Sequence, residues 1–120
     1  MSIEEKLNCS CSCGNIQFTV KNKPSEIAQC YCNICQRLHK NKFACFAQYL
    51  SVTIPITEIK SQNKLVAVQS SSRAIRYQCC SCQSWICMIY RNSPYTWLVT
   101  DLFDFDLSDI EKYDIYKDQD

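Results

Sequence analysis

The chain has 120 residues, of which 47% are hydrophobic and 21% charged, and its formal net charge is +1. This length supports one hydrophobic core and excludes a multidomain enzyme. The longest apolar runs cover only a few residues, whereas a bilayer requires about 20, so no membrane span is predicted. The chain begins with acidic residues and no apolar segment follows them, which predicts a cytoplasmic protein without a secretory signal.

Periodicity and residue type predict a mostly β fold. Ile16, Phe18 and Val20 alternate with polar residues, which is the period of a half-buried strand. Five further segments are rich in aromatic and β-branched residues and are predicted as strands: 43–54, 64–68, 74–77, 85–90 and 95–100. Short helical turns are predicted over 35–40 and after a capping box formed by Ser108 and Glu111.

Charge is unevenly distributed along the chain. Residues 1–97 contain 11 basic and 4 acidic side chains, whereas residues 98–120 contain 2 basic and 8 acidic ones. The acidic stretch 101–120 is predicted to be a solvated face or a frayed end. If seven cysteines bound two zinc ions as thiolates, the net charge would become about −2. This balance argues against nucleic acid as a partner.

Eleven cysteines determine the interpretation of the sequence. Their number is odd, the predicted compartment is reducing, and several are too close in sequence for unstrained disulfides, which argues against a disulfide scaffold. Clustered cysteines instead indicate metal binding. Three clusters and two separate residues are present: Cys9, Cys11 and Cys13; Cys30, Cys32 and Cys35; Cys79, Cys80 and Cys82; and, apart from these, Cys45 and Cys87.

Four cysteines from opposite parts of the chain form the first predicted ligand set. If their segment is extended, Cys11 and Cys13 project from one face and both sulfurs reach one tetrahedral ion. Gly14 allows the backbone to turn close to that ion. Cys79 and Cys82 have the two-residue spacing of a turn that presents two thiolates to one metal. The four together form a closed set, which predicts a structural zinc.

The second predicted set is the run Cys30, Cys32 and Cys35. Three thiolates occupy three vertices of a tetrahedron and leave the fourth open, which is typical of a catalytic zinc. Three thiolates also make zinc a poor activator of water, whereas an incoming thiol suits a sulfur-rich site and becomes a nucleophile toward an aldehyde. Side chains that would instead close the site are considered as fourth ligands: His39, Cys45, Cys80, Cys87 and Cys9.

Other polar residues have both a functional and an ordinary interpretation. His39 is the only histidine, and it is either a base or ligand near the second metal or a polar surface residue. Arg37, Arg73 and Arg76 are candidates for binding the carboxylates of a peptide-like thiol, but solvated surface arginines are the more common outcome.

Three segments resemble the family of the glutathione-dependent formaldehyde-activating enzyme and centromere protein V: 11–18 (CSCGNIQF), 30–39 (CYCNICQRLH) and 76–82 (RYQCCSC). The resemblance covers about residues 9–106. It implies one twisted, mostly antiparallel β domain over 1–120 with a short acidic tail, and two zinc ions per chain. The structural zinc would be held by Cys11, Cys13, Cys79 and Cys82, and the catalytic zinc by Cys30, Cys32 and Cys35. Glycines usual in the family are replaced by Gln83 and are missing near Lys40 and Asn41.

In the enzyme of that family, the second zinc is associated with condensation of glutathione and formaldehyde, which is a carbon–sulfur lyase reaction in reverse. The sequence therefore predicts a zinc-dependent enzyme that joins a small thiol such as glutathione to a small aldehyde, or releases the aldehyde. The alternative is a non-enzymatic, zinc-stabilised binding module whose second site is closed or vestigial. Metal content and the response of the second metal to glutathione separate the two hypotheses.

Overall fold

The computed structural model describes residues 6–24, 26–54, 64–69 and 72–115. Within these ranges the chain is mostly β, as the sequence predicts. The strands and the helix follow in chain order: β1 (Lys6–Ser10), β2 (Gln17–Lys21), β3 (Glu26–Cys30), α1 (Asn33–His39), β4 (Ala44–Leu50), β5 (Leu65–Gln69), β6 (Ala74–Cys79), β7 (Trp85–Tyr90), β8 (Tyr95–Val99) and β9 (Glu111–Ile115).

The strands form two sheets. β1 and β2 pair as an antiparallel hairpin, and the other strands form one sheet in the order β5-β6-β7-β8-β4-β3-β9. Pairing in the larger sheet is antiparallel except between β3 and β9, which are parallel. A single bridge between Cys9 and Phe103 links the hairpin to the chain that follows β8. The twisted, mostly antiparallel architecture is confirmed.

Among the described residues, buried side chains form two apolar clusters, and each includes members of one cysteine set. The first combines Ile16 and Phe18 from the hairpin with Leu98 of the larger sheet, and it includes Cys11 and Cys79. The second contains Cys30 and Cys35 together with a group from strands β4, β6, β7 and β8: Ala44, Phe46, Ala74, Met88 and Val99. Burial of these residues removes apolar surface from water and fixes the positions of the buried cysteines of each set.

The strand predictions agree with the structure where alternation or β-branching is strong. The predicted strand 85–90 coincides with β7, and Phe18 and Val20 of β2 are buried as expected. The short strands β1, β3 and β9 were not predicted. Each has only five residues, including polar or charged ones, so their pairing with distant segments determines their conformation.

The short turn predicted after Ser108 is present, but it does not begin a helix as the capping box indicated. Residues 107–110 form a turn in which the backbone N–H and the hydroxyl of Ser108 both donate to the carboxylate of Asp106, each at 2.9 Å. Glu111 then begins β9, which pairs with β3. Residues 111–115 are therefore part of the sheet and are not a frayed end, while 116–120 lie outside the described residues.

Helix α1 agrees with the helical turn predicted over 35–40. It begins because Cys32 has an extended backbone and its sulfur accepts a hydrogen bond from the N–H of Cys35 at 3.3 Å. It ends at Lys40, which adopts a left-handed conformation with φ of 52°. Across the described ranges, no helix has the length and apolar character needed to cross a bilayer.

Candidate metal centres

The first cysteine cluster lies where two turns meet. Cys11 and Cys13 are in the turn between β1 and β2, and Cys79 and Cys82 are at the turn between β6 and β7. All four sulfurs lie within 4.8 Å of one another. The Sγ of Cys13 is 3.6 Å from that of Cys11 and 3.7 Å from that of Cys79. Two thiolates bound to one tetrahedral zinc are separated by about 3.8 Å, so this donor set fits zinc.

Hydrogen-bond donors support the sulfurs of this cluster. The N–H of Ile16 donates to Cys11 Sγ at 3.3 Å, and the N–H of Ser81 donates to Cys79 Sγ at 3.4 Å. The contact between Cys82 and the Ser84 hydroxyl is the main cause that lowers the pKa of the Cys82 thiol to about 5. This lowered pKa favours the thiolate form of Cys82, which is the form that binds a metal.

Both turns contain a left-handed residue directly after their second cysteine. Gly14 follows Cys13 with φ of +79°, and Gln83 follows Cys82 with φ of +62°. The backbone N–H of Gly14 donates to the carbonyl of Cys11 at 3.1 Å, and the backbone N–H of Gln83 donates to the carbonyl of Cys79 at 3.0 Å. The prediction that Cys11 and Cys13 lie on an extended strand is wrong, because the turn itself brings their sulfurs together.

The second cluster is formed by the end of a strand and the start of a helix. Cys30 is the last residue of β3, Cys32 precedes α1, and Cys35 lies in its first turn. Their sulfurs lie within 4.8 Å of one another, and those of Cys30 and Cys32 are 3.4 Å apart. Cys30 and Cys35 are fully buried. The three sulfurs, called the cysteine trio below, have the donor type and spacing that zinc requires.

The two buried thiols of the trio, Cys30 and Cys35, differ electrostatically. The pKa of Cys35 is lowered to about 6, first by its hydrogen bond with Cys30 and then by the hydrogen bond and charge of Arg76. The pKa of Cys30 is raised, first by the same contact with Cys35 and then by burial. Cys35 is therefore the thiol that the surroundings prepare as a thiolate.

No fourth metal-ligating side chain joins the cysteine trio among the residues that the structure describes. Cys9 and Cys87 are buried in the other apolar cluster, Cys80 is exposed, and Cys45 is half-buried on β4. His39 also lies outside the ligand group.

His39 lies one helical turn after Cys35 and packs between aromatic rings. Its ring centre is 5.7 Å from that of Phe46 and 6.0 Å from that of Trp85. Burial, followed by the charge of Arg76, lowers the pKa of His39 to about 4, so the imidazole is neutral at pH 7. Its buried Nε2 has no hydrogen-bond partner in the described part of the chain.

Arg76 departs most from the sequence prediction. Arg37 and Arg73 are exposed, but Arg76 has only 3% of its surface accessible, so its assignment to the solvated surface is wrong. Its Nη2 donates to Cys35 Sγ at 3.2 Å. Residue type gave no signal for this burial, because buried Arg76 shares one sheet face with buried Ala74 while the apolar Ile75 between them is exposed.

Two cavities lie beside the cysteine clusters. One has a volume of about 380 Å³ and an apolar lining that packs against the cluster containing the cysteine trio: Phe46, Met88, Tyr90, Trp97 and Ile115. The other has a volume of about 270 Å³ and is more polar, and its lining extends from Cys11 and Ser84 to His39 and Trp85. Volumes of this order accommodate small molecules.

Fold and site together define a small β domain with two cysteine clusters, each able to hold a metal ion. The chain belongs to the family described as glutathione-dependent formaldehyde-activating enzyme, because the family model matches residues 6–116. This match confirms the resemblance that the three cysteine segments indicate. The sequence has no significant match among curated proteins.

Proposed function

We propose that this protein is a zinc-dependent enzyme of the carbon–sulfur lyase type, which joins a small thiol such as glutathione to a small aldehyde such as formaldehyde, or releases the aldehyde. One observation carries the proposal: the cysteine trio supplies three thiols, and no fourth ligating side chain joins them within the described ranges. Membership of the family supports glutathione and formaldehyde as substrates.

We assign zinc to both cysteine clusters, giving two ions per chain. The first cluster would have a structural role because four protein thiols complete a tetrahedron. Zinc bound at the trio would supply a soft Lewis-acidic centre, at which an incoming thiol loses its proton.

The proposed reaction converts a thiol and an aldehyde into a hydroxyalkyl thioether. The thiol loses its proton to water, its sulfur forms a bond to the carbonyl carbon, and the C=O π electrons move to oxygen, which takes a proton back from water. The trio orients the thiol, and the surrounding apolar side chains limit the access of water. The neutral imidazole of His39 is available as a hydrogen-bonding group near the trio and does not add positive charge.

We also propose that the protein acts in a reducing compartment such as the cytoplasm. All eleven cysteines are free thiols, and seven of them lie in the two candidate metal clusters. Oxidation would compete directly with metal binding at those clusters. A non-enzymatic zinc module is the alternative function, and it requires a trio that does not respond to thiols.

Exchange spectroscopy with ¹³C-labelled formaldehyde tests the proposal. Glutathione adds formaldehyde slowly without a catalyst, so the measured quantity is the acceleration of exchange between free formaldehyde and its thiol adduct. We expect wild-type protein to accelerate the exchange and Cys32→Ser to leave it at the rate in buffer. Cys80→Ser is the matched control, because Cys80 is exposed and lies outside both clusters. Wild-type protein with two zinc ions and no acceleration would favour the binding module.

A further inference from the structure

A buried arginine lies directly against the cysteine trio. Arg76 is on β6, opposite Met88 of β7, and its side chain is on the same face as buried Ala74. Its Nη2 donates to the sulfur of Cys35 at 3.2 Å, and its guanidinium carbon lies 5.9 Å from the centre of the Phe46 ring. Phe46 and Met88 belong to the same apolar cluster as Cys35. The guanidinium therefore lies between the thiol of Cys35 and the apolar side chains of this cluster.

This guanidinium retains unused hydrogen-bonding capacity. Nε and Nη1 are both buried, and neither has a hydrogen-bond partner among the described residues. A buried N–H without a partner is costly, and a buried charged group without sufficient compensation is more so. One sulfur at Nη2 does not satisfy the planar fork of an arginine, which is suited to anions. The remaining donors indicate that a further anionic atom binds here.

The charge of the trio also indicates that a cation is needed where an anionic ligand binds. Three thiolates and one divalent ion have a formal charge of about −1, and a fourth thiolate would make it about −2. A buried site does not accept a second negative charge readily unless a cation lies close to it. Arg76 is the cation in contact with the trio.

We propose that Arg76 is a positioning residue that makes the trio selective for an anionic fourth ligand. One N–H holds Cys35 as a ligating thiolate, and a remaining donor on Nε or Nη1 binds the incoming anionic sulfur. A neutral ligand of similar size gains nothing from this arrangement. The inference deepens the proposed function because it assigns the discrimination between thiolate and neutral ligands to one residue.

The test compares anionic and neutral ligands on cobalt-substituted protein, whose absorption bands report the ligands of the metal. 2-Mercaptoethanol is the thiol probe, imidazole is the neutral probe, and the variants are Arg76→Met and Arg76→Lys. Because a charge-assisted hydrogen bond is lost, we expect Arg76→Met to bind mercaptoethanol about tenfold more weakly or worse, with imidazole affinity within about twofold of wild type. Arg76→Lys retains the charge without the fork and should be intermediate.

Arg73→Met is the matched control, since Arg73 is an exposed arginine just before the same strand. It should bind both probes as wild type does. Equal mercaptoethanol affinity in Arg76→Met and Arg73→Met would overturn the proposal, and so would a parallel loss of both ligands in Arg76→Met. If Arg76→Met does not fold, Arg76→Lys decides: selective weakening of mercaptoethanol supports the proposal, and unchanged affinity overturns it.

This measurement contains no aldehyde, so its outcome is separate from that of the formaldehyde experiment. Selective thiol binding that depends on Arg76, without acceleration of formaldehyde exchange, would refute the proposed lyase reaction and leave the role of Arg76 intact. A wild-type cobalt protein that does not respond to mercaptoethanol would overturn the inference about Arg76.

Discussion

The two cysteine clusters use the same side chain in different surroundings. The four sulfurs of the first cluster come from two turns that are far apart in sequence, and their supporting hydrogen bonds come from nearby backbone groups and a serine. The sulfurs of the trio come from one short segment, and a charged side chain from a distant strand contacts them. The first cluster connects parts of the fold, whereas the trio lies within a part that other contacts already hold.

This difference separates stabilisation from reactivity. A metal ion held by a closed set of four thiols that joins two turns would contribute its binding energy to folding. The trio lies beside polar atoms that have no hydrogen-bond partner within the described ranges: Nε and Nη1 of Arg76 and Nε2 of His39. These atoms have interactions still to form. Groups of this kind concentrate at functional sites. The comparison predicts that damage to the two clusters has different consequences.

The largest expected effect follows from Cys79→Ser. Cys79 is completely buried at the end of β6, and its sulfur is one of four that join the hairpin to the larger sheet. Loss of a ligand forfeits most of a structural zinc's binding energy, which is about 10 kcal/mol or more. We expect an unfolded or aggregated protein by circular dichroism. Cys80→Ser is the adjacent control and should unfold at the wild-type temperature. If Cys79→Ser instead unfolds cooperatively at the wild-type temperature, the first cluster does not have a structural role.

Cys32→Ser should have a smaller effect on stability. A serine at this position still accepts the hydrogen bond from the Cys35 N–H that begins α1, because serine is a favourable N-cap residue. We expect the native circular dichroism spectrum, a free energy of unfolding within about 1 kcal/mol of wild type, and one zinc ion per chain by elemental analysis. If Cys32→Ser is as destabilising as Cys79→Ser, the trio is a second structural site.

His39 predicts how stability near the trio depends on pH. Its pKa is lowered from 6.5 to about 4 in the folded protein, so the unfolded chain binds a proton that the folded chain excludes between these values. Stability is therefore lost as pH falls through this range. We expect His39→Gln to lose less stability than wild type between pH 7 and 5.5 in urea unfolding. Acid release of metal affects both proteins, so parallel pH profiles would argue against a buried, neutral His39.

The smallest expected effect concerns two residues other than glycine that have a left-handed backbone conformation. Gln83 and Lys40 have φ of 62° and 52°, a conformation that costs side chains about 1 kcal/mol and glycine little. Gln83→Gly and Lys40→Gly should each raise the free energy of unfolding by up to about 1 kcal/mol in urea titrations. Asn92→Gly is the control, because asparagine tolerates its φ of 63° better and should gain less. Destabilisation at both test positions would show that their side chains contribute more than the backbone costs.

Local patterns explain which features could be predicted. The run Cys30, Cys32 and Cys35 is compact, so its spacing alone indicates a shared ligand set, and the structure brings these sulfurs within 4.8 Å. Strong β-branched segments such as β7 were also predictable, since residue type and strand preference agree there. In contrast, Glu111 with Ser108 satisfied a local helix signal, but pairing of β9 with β3 outweighed it.

The sequence by itself determined the mostly β class, the two groups of cysteines and the family, because residue type and short spacing encode these properties locally. Only the tertiary structure decided that β9 completes the sheet beside β3 and that Arg76 is buried against Cys35. Both features depend on which distant strands become neighbours. The physical reason is that strand pairing is non-local: the environment of Arg76 is formed by segments that approach it only after the larger sheet has assembled.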